Sequence, residues 1–120
     1  MSTHIKKPTR VKSAGNKVKI IDEFIGRVNT GNNNISIARM QSPAGWIEPP
    51  QKPEFDEYTF VIKGYVEVLS EGKRYKIEAD QVYVAKKGVK VQYSTPGPDG
   101  AEYVAICTPA FNPDTVHRED

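Results

Sequence analysis

Polar and apolar residues along this chain alternate in short runs, and no run keeps a helical period. Ile35-Ser36-Ile37-Ala38-Arg39-Met40-Gln41 alternates and is β-branched, which predicts a strand. Tyr58 to Ile62 is the densest β signal, and Tyr65 to Leu69 repeats it after Lys63-Gly64, so the two runs are expected to pair as a hairpin. Arg74 to Glu78, Gln81 to Val84, Lys90 to Thr95 and Glu102 to Ile106 read as further strands. Turn chemistry separates them at Thr30 to Asn34, Ser70 to Lys73 and Pro96 to Gly100. Ser42 to Pro53 holds four prolines and is expected to be loop or edge, because proline removes a backbone donor. Val18 to Ile21 is a short apolar segment, and Asp22 to Val28 fits either a helical turn or an extended piece. A turn or short helix is expected in the tail from Pro109. With roughly seven or eight short strands and no βαβ pattern, an antiparallel sandwich or barrel is predicted.

Composition narrows this picture. The 120 residues suit one domain, with 38% apolar and 27% charged residues, a globular balance. We divide them into an irregular basic arm, 1–17, and a barrel domain, 18–120. No apolar run is long enough to span a membrane, and the first residues lack the apolar core of a signal peptide. Cys107 is the only cysteine, so no intrachain disulfide forms and a cytoplasmic setting is expected. Lys6, Lys7, Arg10, Lys12, Lys17 and Lys19 all precede the first acid, Asp22. Nothing aromatic interleaves these cations as base stacking would require, so no nucleic-acid partner is expected.

Two segments carry a resemblance. Glu57-Tyr58-Thr59-Phe60-Val61-Ile62-Lys63-Gly64 places six residues between a carboxylate and a glycine, with Gly45 upstream. Ala79-Asp80 precedes Lys86-Lys87-Gly88 and Val91. These resemble the two sequence motifs of the cupin superfamily, which implies an all-β cupin-type jelly-roll barrel of antiparallel strands. In that family two histidines precede the Glu and a third follows the second motif. Here those positions carry Pro50 and Lys52 (or Gln51 and Pro53) and Val91, so of the family's metal ligands only Glu57 remains. The tail from Cys107 to His117 is similar to that of ectoine synthases. Glu57 and Tyr83 match two of that family's iron ligands, and Val91 stands where the third would be.

The resemblance and the residues together define candidates. Glu57 is the candidate acid/base, since a carboxyl inside an apolar barrel has a raised pKa. Tyr83 and Tyr93 are candidates to complete a hydrogen-bonding set with it. Gln51, Glu54, Thr59, Val91, Trp46 and His117 are candidate ligand contacts. Trp46 is expected chiefly to pin its loop, and Cys107 to be a small buried residue rather than a nucleophile. No cofactor is expected. A divalent ion would find only oxygens, from Glu57 with Tyr83, Gln51 or Glu54, a poor set for a transition metal. Tyr58, Phe60 and Ile62 form an apolar stripe on the other face of their strand, which implies a covering element and a homodimer. The expected function is binding of a small polar metabolite, a sugar or carboxylate. The chain would act as a metal-independent isomerase, lyase or cyclase, or as a non-catalytic dimeric binding or structural module, with an atypical metal-dependent enzyme as a further alternative.

Overall fold

The computed structural model describes residues 2–119, which form nine strands. They are β1 (Thr9–Val11), β2 (Ile20–Ile25), β3 (Ser36–Ser42), β4 (Trp46–Ile47), β5 (Asp56–Ser70), β6 (Lys73–Glu78), β7 (Val82–Ala85), β8 (Gln92–Thr95) and β9 (Ala101–Thr108). There is no helix among the described residues. The tail after β9 holds turns and one isolated bridge, Arg118 to Gln51, and Asp22 to Val28 is the end of β2 and a turn. Every pairing is antiparallel.

The strands form two sheets that share β5. Its first half lies between β9 and β7, in the sheet that continues through β3, β2 and β1. Its second half lies between β6 and β8, and β4 follows β8. The hairpin expected at Lys63-Gly64 is thus not there: β5 runs on for 15 residues and changes sheets. The register with β9 slips between Val61 and Lys63, a bulge that turns the strand. Gly64 sits at φ +69°, and a Cβ there would come 2.1 Å from the Gly100 carbonyl oxygen, so only glycine allows the corner. A glycine with positive φ serves a turn and a bulge equally well, which is why the sequence pattern suggested the wrong one.

The basic arm, expected to be irregular, contributes β1 on the edge of the first sheet. It then crosses the proline-rich segment. The Trp46 indole donates to the Ala14 carbonyl at 2.9 Å, the Asn16 N–H donates to the Ile47 carbonyl at 3.0 Å, and the Ile47 N–H donates to Asn16 Oδ1 at 2.7 Å. Trp46 is fully buried, so it does pin its loop, with the arm as the other half of the clasp. The tail pairs in turn with 50–54, through Lys52 to His117 and Glu54 to Thr115 backbone hydrogen bonds. The main core gathers Trp46, Val61, Val66, Val68, Val91 and Tyr103 between the sheets.

Candidate functional site

Antiparallel register sets opposite residues on the same face. On the inner face of the first sheet, Ser36, Cys107 and Glu57 make one row, and Ala38, Ala105 and Thr59 the next. Nearly all of these side chains are small, so the barrel is not filled there. They leave a cavity of about 340 Å³, a size that suits a small molecule. Trp46, Glu48 and Gln51 from the proline-rich segment form a second wall. Val11 and Ala14 of the arm and Phe111 of the tail complete it.

Three carboxyls line this space, Glu23, Glu48 and Glu57, and Glu23 is already held by backbone N–H groups. Glu57 keeps part of its surface, but that surface lies in the cavity rather than in open solvent. Burial raises its pKa from 4.5 to about 7, and the nearby Glu48 charge pushes the same way. Glu48 is itself buried, which raises its pKa, while Lys19 and Arg118 pull it back. Tyr93 is buried with a hydroxyl that makes no hydrogen bond of good geometry, although it lies near enough to ease the Glu57 charge slightly. Burial, and then the Glu57 charge, hold the Tyr93 phenol well above its ordinary pKa. Gln51 Oε1 and Thr59 Oγ1 are also buried without partners among the described residues. Since buried polar atoms normally find partners, this cluster marks a place where a ligand's polar groups fit.

Lys19, just before β2 on the same sheet, also faces the cavity. Its ammonium donates to the Tyr103 hydroxyl at 3.1 Å and to Met40 Sδ at 3.4 Å, and lies 3.9 Å from the centre of the Trp46 ring. Tyr103 is in turn 2.9 Å from the Ser42 hydroxyl. Cys107 is buried on the cavity wall, which drives its thiol pKa upward.

Of the sequence candidates, Glu57, Tyr93, Gln51, Thr59 and Trp46 meet in the cavity. Four do not. Tyr83 lies on edge strand β7 and packs against Tyr75, ring centres 5.2 Å apart, so the expected set of Glu57 with both tyrosines is not assembled. Val91 is buried in the core and pairs with Gln51 through backbone alone. Glu54 and His117 bind each other on the outside, beside a separate surface depression with Lys52 and Lys87. Lys19 and Glu48 were missed. Lys19 shares a period-two face with Ile21 and Glu23, a signal that the run of basic residues hid. Glu48 sits between Ile47 and Pro49, where no period can be read.

Among the described residues, no three His, Cys, Asp or Glu side chains group closely enough to hold a metal ion. The cavity offers carboxyl and amide oxygens beside an ammonium, and no nitrogen ligand. That donor set does not fit the transition metal which the cupin resemblance implies.

A family model described as "Ethanolamine utilisation protein EutQ" matches residues 50–112. A Myxococcus xanthus protein named endoribonuclease YbeY is 41% identical over 101 residues, which is 84% of this chain but 34% of that protein. The chain thus spans about a third of the length of that curated relative. Among solved structures, a predicted oxalate decarboxylase from Thermotoga maritima superposes with a TM-score of 0.74 at 18% identity, covering 91% of this chain and 99% of that one. The cupin domain of Schizosaccharomyces pombe Cnp3 gives 0.67 at 11% identity, covering 81% and 69%. These likenesses bear out the all-β cupin jelly roll, and at such identities they speak to fold alone.

Proposed function

The chain belongs to the family of the ethanolamine utilisation protein EutQ, and on that premise we propose that its barrel binds a small polar metabolite, a sugar or a carboxylate, and moves a proton on it through Glu57 without a metal. The observation that carries this reading is a carboxyl with a pKa of about 7 facing an open cavity beside the unpartnered Tyr93 hydroxyl. Near neutral pH such a carboxyl is poised both to accept and to donate a proton. Tyr93 holds its own proton firmly and so serves as donor to an oxygen on which charge develops. Proton abstraction and return at two positions gives an isomerase; abstraction followed by loss or attack of a group gives a lyase or cyclase.

Solvent deuterium exchange tests this. The protein is incubated in D2O with a panel of sugars and carboxylates, and exchange at carbon is followed by proton NMR. Exchange in the wild type that falls about a hundredfold or more in Glu57→Gln, with binding retained, is expected. Binding without exchange would leave a non-catalytic module, and absence of binding across the panel would remove the pocket reading altogether.

We further propose that the protein works as a homodimer in the cytoplasm, where Cys107 remains a thiol. On the outer face of the first sheet, Ile106, Tyr58 and Val84 form one row and Val104, Phe60 and Val82 the next. Phe60, Val82 and Val84 are 43%, 51% and 45% exposed, which is unusual for neighbours on one sheet. Cations and acids border the patch together, Arg39 and Lys63 with Glu102, which lets the face complement its own copy about a two-fold axis.

A further inference from the structure

We propose that Lys19 is the anion-binding group of the cavity, and that the metabolite is therefore an organic acid, its carboxylate held by the Lys19 ammonium, rather than a neutral sugar. This rests on the pocket reading above and narrows its substrate class.

Three observations lead here. The first is that Lys19 is a buried cation without a counter-ion. It is 8% exposed, and no carboxylate among the described residues forms an ion pair with it. An ammonium has three N–H groups, yet this one has a single oxygen acceptor, Tyr103. A thioether and the Trp46 face complete its surroundings. A buried charge left so thinly solvated is costly, and a carboxylate in the cavity would supply the missing acceptor.

The second is the charge of the cavity rim. The exposed charged residues that line it are Lys12, Arg27 and Arg118, all basic. Such a rim draws anions inward and turns cations away. The third is the state of the acids within. Glu23 already accepts the Val28 and Asn29 backbone N–H groups, at 3.0 and 2.8 Å. Burial pushes the Glu48 and Glu57 pKa values up, against the pull of Lys19 and Arg118, and neither carboxyl forms an ion pair with Lys19 among the described residues. The Lys19 ammonium is thus left with the Tyr103 hydroxyl as its one oxygen acceptor. With the carboxylate on Lys19, the rest of the molecule lies against the unpartnered Gln51, Thr59 and Tyr93 atoms, next to Glu57.

Trp46 is the only tryptophan and touches the Lys19 ammonium, so its fluorescence reports on this site. The probes are formate and formamide, which match in size and differ in charge. Wild-type protein is titrated with each, at constant ionic strength, beside Lys19→Met and Lys19→Arg. A saturable response to formate that formamide gives at least about tenfold more weakly is expected. Lys19→Met should lose that preference and Lys19→Arg should keep part of it. Equal responses to the two probes, no response to formate, or an unchanged preference in Lys19→Met would each overturn the proposal. Should Lys19→Met fail to fold, the two-probe comparison on the wild type still decides. The parent reading fails separately: deuterium exchange or binding of a neutral sugar without a formate site would sink the organic-acid assignment alone, and a formate site with no exchange would sink the catalysis alone.

Discussion

The two faces of the first sheet depart from the usual arrangement in opposite ways. Its inner face, at the cavity, carries Glu57 and the unpartnered Thr59, with Lys19 at the start of β2 beside it and Tyr93 and Gln51 opposite. Its outer face carries Tyr58, Phe60, Val82, Val84, Val104 and Ile106. Ordinarily the inner face of a barrel is the apolar one. Each face lacks what the other has: the inner one lacks hydrogen-bond partners, and the outer one lacks apolar cover. The proposed ligand would meet the inner deficit, and the proposed partner copy the outer.

The largest way to break this contrast is at Trp46. It is fully buried and clasps the arm, and its ring faces Lys19. Trp46→Ala should cost about 3–5 kcal/mol, read by urea denaturation. It should also free the arm, so that amides near Ala14 and Asn16 exchange rapidly with D2O. Protection that survives there would mean that β1 alone holds the arm.

This clasp also shows how far the sequence could be read. The strands were legible because alternation and turn chemistry are local, and the motif spacing located Glu57 and its barrel. The β5 corner was not, because whether Lys63-Gly64 closes a hairpin or bends a strand depends on Gly100, far along the chain. Half of the site was hidden for the same reason. Lys19 looked like one more cation of a basic arm, and Glu48 lay in a loop with no period. Only pairing of β2 with β3, and of the proline-rich segment with β8, brings them to the cavity. Tyr83 erred the other way: its position on the inner side was readable, but not that β7 is an edge strand turned toward Tyr75.

Next in size is the Glu57 charge. A carboxyl whose pKa rises from 4.5 unfolded to about 7 folded binds its proton more tightly in the native state. Its stabilising effect is therefore complete below pH 4.5 and is lost as pH rises to 7. Shifts of that size amount to about 3 kcal/mol. Glu57→Gln, which cannot ionise, should be more stable than wild type at pH 8 and close to it at pH 4. A wild-type denaturation midpoint that does not fall between those values would show that the cavity solvates Glu57 well.

The outer face is tested by charge. Phe60→Asp should weaken self-association by about 2 kcal/mol or more, the scale of an interface anchor, while leaving the monomer folded. Sedimentation equilibrium of the wild type should give the mass of a pair, and of the variant a single chain. A monomeric wild type would end the dimer proposal.

The smallest effect lies where the outer face does carry a matched charge. Asp22 is buried on the β2 side of that face, held by Arg10 at 3.0 Å and Arg39 at 3.6 Å. The Arg10 hydrogen bond does most to hold its pKa below the usual aspartate value. The sign is opposite to that of Glu57. Stability from Asp22 is present above its unfolded pKa and is lost as pH falls through the folded one, so only acid removes it. Arg10 is largely solvent-exposed and Arg39 partly so, and screening limits the gain. Asp22→Asn should cost less than about 1 kcal/mol at neutral pH, and that cost should shrink as the pH falls below the ordinary aspartate range and in high salt. A paired carboxylate outside and unpaired ones inside then titrate in opposite directions on one sheet. Measuring Asp22→Asn and Glu57→Gln across the same pH series separates them. If both variants shifted the curve the same way, the contrast between the faces would fail.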